Sequence, residues 1–258
     1  VKSFRTPWIL ANSDNTTAFA GLGYSVDSKV DSNGHIVLGC SHIYSSSGEG
    51  LKFKLARISN DKIQWRHRKP HLCYDDAYEF GKNIIELFYE SMNELPKRVV
   101  IHKRTYFTEE EKQGIIDSIS DNNKIESIDL IEINFEDNIK YTSSKIVEGK
   151  ACVDGFSVSR GSCILLNSKE ALLWAHGVVP SVRNPNFSFY PGGRYIPKPL
   201  RIIKHYGVGS LEQIANEILG LTKMNWNSLN MYSQLPATIC SSNDIARIGK
   251  LIDSNSKH

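Results

Sequence analysis

The spacing of the apolar residues changes near Asp75, and no other feature of the sequence constrains the fold as strongly. Before this point, apolar runs at residues 18–26, 35–44 and 51–58 are separated by turn-forming Asn, Asp, Ser and Gly. Such runs are typical of short strands joined by hairpins. From Asp75 onward, apolar residues recur every three or four positions until Pro96, which is the period of an amphipathic helix. We therefore predict three antiparallel strands followed by a helix.

Strand and helix signals then alternate. Short apolar runs at residues 98–101 and 125–134 predict two further strands. Between them, Thr108 and Glu111 have the spacing of a capping box, which begins a helix. Strands that alternate with helices predict right-handed parallel crossovers, and an antiparallel meander that leads into such a unit is typical of ribonuclease-H-like folds. The predicted class is α/β, with a mixed five-stranded sheet flanked by helices.

The C-terminal part of the chain predicts additional strands and helices. Short strands are expected at residues 155–159, 162–166 and 171–175, and helices at residues 210–223 and 243–252. The Pro- and Gly-rich residues 180–199 predict an irregular loop. We interpret residues 1–258 as a single domain, with the ribonuclease-H-like core at about 16–140 and a C-terminal portion at about 150–258.

Composition narrows the function classes. The sequence contains no apolar run long enough to span a bilayer and no signal-peptide pattern, so we expect a cytoplasmic protein without membrane insertion. The five scattered cysteines form no C-x-x-C pair, which favours reduced thiols over a zinc site or disulfides. The net charge is only +3, but basic residues cluster within residues 66–69, 97–104 and 194–205. These clusters indicate either a groove that binds the phosphates of a nucleic acid or a solvated surface.

Several stretches resemble the PIWI domain of prokaryotic Argonautes, in the order in which that family carries them. They are FAGLGYS at residues 19–25, PKRVVIHKR at 96–104, SRGS at 159–162, PKPL at 197–200, LTKMNWN at 221–227 and LPA at 235–237. The resemblance runs over nearly the whole chain. It implies a PIWI domain with the same ribonuclease-H-like fold that the pattern of strands and helices predicts.

The resemblance also implies that the nuclease site is degenerate. Cleaving members hold two cations with acids at the ends of two strands, a loop glutamate and a late His or Asp. The matching positions here are Gly23, Arg104 and Asn243, and residues 57–72 offer only Asp61 in place of the glutamate. An arginine repels a dication and does not lose its proton. We therefore predict a catalytically inactive domain with no metal at this site.

Other aspartates offer no obvious replacement. Asp27 shares a strand face with Gly23 but lies four residues along, which is about 13 Å in a strand and too far to share a pair of cations. Asp14, Asp31 and Asp154 have no better placement in the sequence. Arg104 is expected either to attract a phosphate or to pair with an acid such as Asp154.

What the resemblance leaves is binding of a guide–target duplex, because such a groove can contact the phosphates and 2′-hydroxyls of an A-form helix. For Arg160, the alternative is a turn residue that caps a carbonyl or pairs with an acid, and for Arg194 and Lys198 it is a solvated loop. The candidate nucleic-acid-binding residues are Lys103, Arg104, Arg160, Arg194 and Lys198.

The implied partners are a guide RNA or DNA and its complementary target. A MID domain, in the same or another chain, would hold the guide 5′ end, together with Mg²⁺ there. The first residue is Val1, and we expect the chain to be part of a longer or split protein. Silent PIWI domains imply an effector, either sirtuin-like, TIR-type, a nuclease or a membrane protein, in defence against plasmids or phage. Two alternatives stay open: an active metal-dependent, guide-directed endonuclease, and a protein-interaction scaffold that uses residues 180–199.

Overall fold

A computed structural model describes residue 10 and residues 16–26, 36–40, 55–58, 64–66, 69–142, 144–153, 157–179, 196–225 and 232–255. The strands are β1 (Thr17–Val26), β2 (Ile36–Cys40), β3 (Leu55–Ile58), β4 (Gln64–Arg66), β5 (Lys69–His71), β6 (Arg98–Lys103), β7 (Ser127–Phe135), β8 (Ser144–Val147), β9 (Lys150–Val153), β10 (Cys163–Leu165), β11 (Glu170–Leu173) and β12 (Leu200–Tyr206). The helices are α1 (Tyr74–Met92), α2 (Glu109–Ser120), α3 (Leu211–Leu221) and α4 (Ala237–Asn255).

One mixed sheet of eight strands organises the described part of the chain, in the order β10-β11-β12-β7-β6-β1-β2-β3. The strands β1, β2 and β3 form an antiparallel meander, whereas β6 and β7 add to β1 in parallel. This is the predicted five-stranded core, and its connections through α1 and α2 are the predicted crossovers. The strands β12, β11 and β10 extend it with antiparallel pairings.

Helices cover both faces of the sheet, and the alternation of side chains along β1 decides which residues meet which helices. Ala18, Ala20 and Leu22 belong to the apolar cluster that includes residues of α1 and α2. Phe19 points the other way, into the cluster formed with α3 and the start of α4. Because successive residues of a strand face opposite sides, Gly21 and Gly23 share the face of Phe19.

Several boundaries agree with the sequence and several do not. The capping box is confirmed, since the Thr108 hydroxyl accepts from the Glu111 N–H and the Glu111 carboxylate accepts from the Thr108 N–H. Helix α4 begins at Ala237, six residues before the predicted start at residue 243. The weak helix formers at residues 238–242, which are Thr, Ile, Cys, Ser and Ser, concealed this turn. The strand predicted at residues 155–159 is described from 157 onward, where Ser159 makes only an isolated bridge with Val178.

The sequence reasoning missed β12, because charged residues interrupt its apolar alternation. Acids on neighbouring elements contact two of these residues. Arg201 contacts Glu136 at 3.1 Å and Glu170 at 2.7 Å, and His205 contacts Glu132 at 2.8 Å. Cross-strand partners of this kind stabilise a strand, but they become visible only once the pairing of β12 with β7 is known. The short hairpins β4–β5 and β8–β9 were also not predicted.

A buried ion pair fixes the end of β6 against α2. The Lys103 ammonium lies 2.5 Å from a Glu111 carboxylate oxygen, and both side chains are fully buried. That carboxylate also accepts hydrogen bonds from the backbone N–H groups of Leu72 and Thr108, while His71 lies 3.3 Å away. The cluster therefore joins β6, the start of α2 and the end of β5.

The prediction that Lys103 faces a phosphate is therefore wrong. Its side chain points to the α1 and α2 side of the sheet. There it has no exposure to solvent and forms an ion pair with Glu111. Because neighbouring residues in a strand alternate sides, the proximity of Lys103 to Arg104 in sequence gave no indication of a shared surface.

Removal of the Glu111 charge is expected to destabilise the fold strongly. Glu111→Gln leaves the Lys103 ammonium buried without its carboxylate, which costs about 3–5 kcal/mol in comparable sites. Urea unfolding at pH 7 measures the loss. Glu109→Gln is the matched control, because Glu109 lies on the same turn but is 90% exposed and its surface pair contributes about 0–1 kcal/mol. Equal losses for both variants would contradict this assignment.

The same cluster predicts a dependence of stability on acid. Burial would raise the pKa of Glu111, but His71, Lys103 and the Thr108 N–H together lower that pKa from 4.5 to about 2. A carboxylate with a lowered folded-state pKa contributes its stability above its unfolded pKa. We expect this contribution to be complete above pH 4.5 and to disappear as the pH falls toward 2. Urea unfolding across this range should show a smaller acid dependence for Glu111→Gln than for the wild type.

Candidate nucleic-acid interface

The predicted nuclease positions meet at the C-terminal edge of the parallel strands, where open α/β sheets bind their ligands. In the pairing of β1 with β6, Leu22 lies opposite Lys103. Gly23 follows Leu22 and Arg104 follows Lys103, so both lie at this edge. Asn243 lies on α4, which packs on β1. The structure therefore brings the three positions to one region.

Helix α4 lies so close to β1 that no side chain fits on the intervening glycines. A β-carbon on Gly23 would lie 2.7 Å from the carbonyl carbon of Ser242 and 2.8 Å from its oxygen. A β-carbon on Gly21 would overlap the carbonyl oxygen of Thr238. The residue that faces Gly23 is thus Ser242, and Asn243 is its neighbour on the helix.

A hydrogen bond between buried side chains helps to hold α4 in this position. Thr238 Oγ1 lies 2.9 Å from His102 Nδ1, and both residues are fully buried. Burial, together with the charge of Arg98, lowers the pKa of His102 to about 3. His102 is therefore uncharged at neutral pH and acts as a structural side chain.

The described residues do not fit a pair of divalent cations. The space beside Gly23 is filled by the backbone of α4, and Arg104 supplies a positive charge at the position where the resemblance predicts an acid. In the described ranges, no group of three His, Cys, Asp or Glu residues is arranged to hold a metal ion. The other aspartates that were considered lie outside the described residues: Asp14, Asp27, Asp31, Asp61 and Asp154.

A cleft of about 680 Å³ opens at the same edge, and Arg104 forms part of its wall. The Arg104 side chain is exposed, with its guanidinium carbon 5.6 Å from the centre of the Phe135 ring. Lys198, from the segment before β12, also lines the cleft. The structure thus brings together two of the predicted binding residues. The described residues that line the cleft are Lys69, Arg104, Asn134, Phe135, Asp137, His176, Ile196, Pro197, Lys198 and Gln234.

Lys69 is a lining residue that the sequence reasoning did not select. It was noted within the basic cluster at residues 66–69, but nothing in the sequence indicated that the hairpin β4–β5 would return it to this cleft. Asn134 and Gln234 contribute amide groups that can donate hydrogen bonds. They carried no sequence signal, because polar residues at the ends of strands and helices are common.

Arg160 has a structural role. Its guanidinium donates to the Leu219 carbonyl at 3.1 Å and to Thr222 Oγ1 at 2.5 Å, and it lies 4.5 Å from the centre of the Tyr232 ring. These contacts attach the turn at residues 159–162 to the end of α3. This is the alternative that the sequence left open, in which the turn arginine caps a carbonyl. Arg194 lies outside the described residues.

Comparison with solved structures identifies this architecture. The chain is similar to A. aeolicus Argonaute, with 19% identity, a TM-score of 0.58 and coverage of 92% of this chain and 29% of that one. Clostridium butyricum Argonaute, solved with a guide DNA and a 19-mer target DNA, gives 19% identity, a TM-score of 0.59 and coverage of 95% and 27%. Marinitoga piezophila Argonaute, solved with a guide RNA, gives 15% identity, a TM-score of 0.60 and coverage of 92% of this chain and 30% of that one.

The fold is therefore ribonuclease-H-like. In particular, it is the PIWI-like fold of prokaryotic Argonautes, which confirms the resemblance that the motifs predicted. The chain spans between 27% and 30% of the length of these three Argonautes. No protein-family model and no curated protein sequence matches it. Among the described residues, no helix has the length and apolar character needed to cross a membrane.

Any side chain at Gly23 should destabilise the protein. Gly23→Ala forces a β-carbon against the Ser242 backbone, and overpacking of this kind costs about 1–3 kcal/mol. The control is Gly220→Ala on α3, where the added carbon meets only the tip of the Leu10 side chain and alanine favours the helix. Thermal unfolding compares the two. A Gly23→Ala protein as stable as Gly220→Ala would contradict the close contact between α4 and β1.

Loss of the Arg160 guanidinium should lower stability. Arg160→Ala removes two hydrogen bonds from a charged donor, and we expect a cost of about 1–3 kcal/mol in urea unfolding. Arg247→Ala is the matched control, because Arg247 is 80% exposed and only 3.9 Å from Asp244. Its loss should cost less than about 0.5 kcal/mol. A stable Arg160→Ala protein with weakened duplex binding would instead return Arg160 to the interface.

Proposed function

We propose that this chain is a guide-directed nucleic-acid-binding module that holds a guide–target duplex without cleaving it. The observation that carries the proposal is the C-terminal edge of the sheet, which presents Arg104, Lys69 and Lys198 in an open cleft. Cationic side chains at this edge suit the phosphate backbone of a nucleic acid.

Binding is supported by the fold and by the bound states of its relatives. The Clostridium butyricum structure contains a guide DNA and a target DNA, and a Marinitoga piezophila structure contains a guide RNA and a target DNA. We infer the same class of ligand for this chain, a paired guide and target. Recognition would use the shape and backbone of the duplex, which requires no particular base sequence.

The absence of cleavage is a separate part of the proposal, and it rests on two residues. A carboxylate at Gly23 would require α4 to move away from β1. Arg104 adds a fixed positive charge that opposes a dication. Together they disfavour the paired-cation chemistry on which a metal-dependent nuclease relies.

The wider setting is proposed from the resemblance to Argonautes, of which the chain spans less than a third. We propose that a MID domain, in the same or another chain, holds the guide 5′ end, with Mg²⁺ bound there. We further propose a cytoplasmic role in defence against plasmids or phage, in which an associated effector responds to the loaded state. Cys73, Cys152, Cys163 and Cys240 are free thiols, which is compatible with a reducing compartment.

A binding and cleavage assay tests the function directly. The chain is mixed with labelled duplexes of guide RNA with target DNA and of guide DNA with target DNA, in Mg²⁺, Mn²⁺ or EDTA. We expect retention of the duplex at low salt, weaker binding as salt rises, and an intact target strand in every condition. Target cleavage that EDTA abolishes would establish the active nuclease. Lack of binding at low salt would favour a protein-interaction scaffold.

A further inference from the structure

Three cationic side chains from separate parts of the chain line the cleft. Lys69 comes from β5, Arg104 follows β6, and Lys198 precedes β12. Among the described lining residues, Asp137 is the one acid. Burial and the charge of Arg160 lower the pKa of His176, so this histidine is uncharged at neutral pH. The described lining residues, three cationic and one acidic, then carry a net charge of two positive. A cleft with this excess charge favours an anion.

Two of the three cationic residues, Lys69 and Lys198, have neighbouring residues that are buried in the structure. Lys69 is followed by Pro70 and His71, both buried, and His71 contacts Glu111 in the cluster that fixes β6. Lys198 lies between Pro197 and Pro199, which are both buried and have restricted backbones. The side chains of Lys69 and Lys198 are themselves exposed. Their backbones are therefore held in place while their charged ends stay available to a ligand.

Asp137 forms an ion pair with Lys198. The two charged groups lie 2.6 Å apart, but the Lys198 side chain is 50% exposed and the Asp137 side chain is 67% exposed. Exposed pairs of this kind contribute little to stability, so an entering anion can take Lys198 from Asp137. Arg104 makes no ion pair with any described residue; it contacts the Phe135 ring.

From these contacts we infer that Lys69, Arg104 and Lys198 form a direct, metal-independent clamp for one backbone phosphodiester of a nucleic-acid strand, with Asp137 as an internal competitor. The inference rests on the proposed function and deepens it. The clamp occupies the edge where cleaving relatives need cations. It therefore uses the protein's own positive charges to hold a phosphate at that edge. Asn134 and Gln234 can donate further hydrogen bonds to the same group.

The competitor gives the sharpest test, because its removal should strengthen binding. Asp137→Asn frees Lys198 and is expected to tighten binding of a guide RNA–target DNA duplex by about two- to fivefold, measured by fluorescence anisotropy. Glu126→Gln is the matched control: it removes the same charge from an exposed acid before β7, at the opposite end of that strand from the cleft. It should change the affinity by less than about twofold. Equal effects of the two variants would overturn the clamp.

Loss of each cation should weaken binding in turn. Lys69→Ala, Arg104→Ala and Lys198→Ala are each expected to reduce affinity by about tenfold and to lower the slope of log K against log salt by about one. Lys124→Ala, an exposed lysine in the loop before β7, is the control. In the double variant Asp137→Asn/Lys198→Ala, the gain from Asp137→Asn should vanish. Affinities that match wild type in all three cleft variants would refute the clamp while leaving duplex binding intact.

Two further arms identify the source of the phosphate and the role of metals. At constant ionic strength, inorganic phosphate should displace the duplex no better than chloride does. Displacement at low millimolar phosphate would mean that the cleft holds a free anion rather than a strand. Replacement of Mg²⁺ by EDTA at matched ionic strength should leave the effect of Arg104→Ala unchanged. If wild type binds no duplex at all, the proposed function itself fails, and that outcome is distinct from failure of the clamp.

Discussion

Helix α4 rests directly on β1, with its backbone at Thr238 and Ser242 against Gly21 and Gly23. This contact is possible only because both strand residues lack a side chain, and it fills the space that a carboxylate at Gly23 would need. The hydrogen bond between Thr238 and His102 attaches the same helix to β6. One packing arrangement thus contributes to the core of the sheet and leaves no room for a side chain at Gly23.

The opposite face of β6 explains how the cleft keeps its cations in place. Lys103 forms a buried ion pair with Glu111. This pair fixes the end of β6, and Arg104 is the next residue. The same cluster holds His71, two residues after Lys69. The buried cluster therefore lies next in the chain to Arg104 and two residues from Lys69, both of which are exposed. In the proposed function, cationic side chains hold the phosphate that divalent metal ions would hold in a cleaving relative.

The sequence predicted the central fold well, because its signals were local. The apolar run of β1, the apolar stripe of α1 and the capping box of α2 each depend on residues close together in the chain. Helix α4 began earlier than predicted, because burial against β1 stabilises a turn of weak helix formers. Arg104 and Lys198 were found through motifs, whereas Lys69 depends on the course of the β4–β5 hairpin. Alternation along β6 could have shown that Lys103 and Arg104 face different sides.

We expect a phosphate, rather than a pair of divalent metal ions, to occupy the edge beside Arg104. A crystal structure of the chain with a guide–target duplex, grown in Mn²⁺ and measured at an anomalous wavelength, tests this directly. The account predicts a backbone phosphate oxygen within hydrogen-bonding distance of the Arg104 guanidinium, and no anomalous peak between the ends of β1 and β6. A manganese peak there, coordinated by carboxylates of this chain, would contradict it.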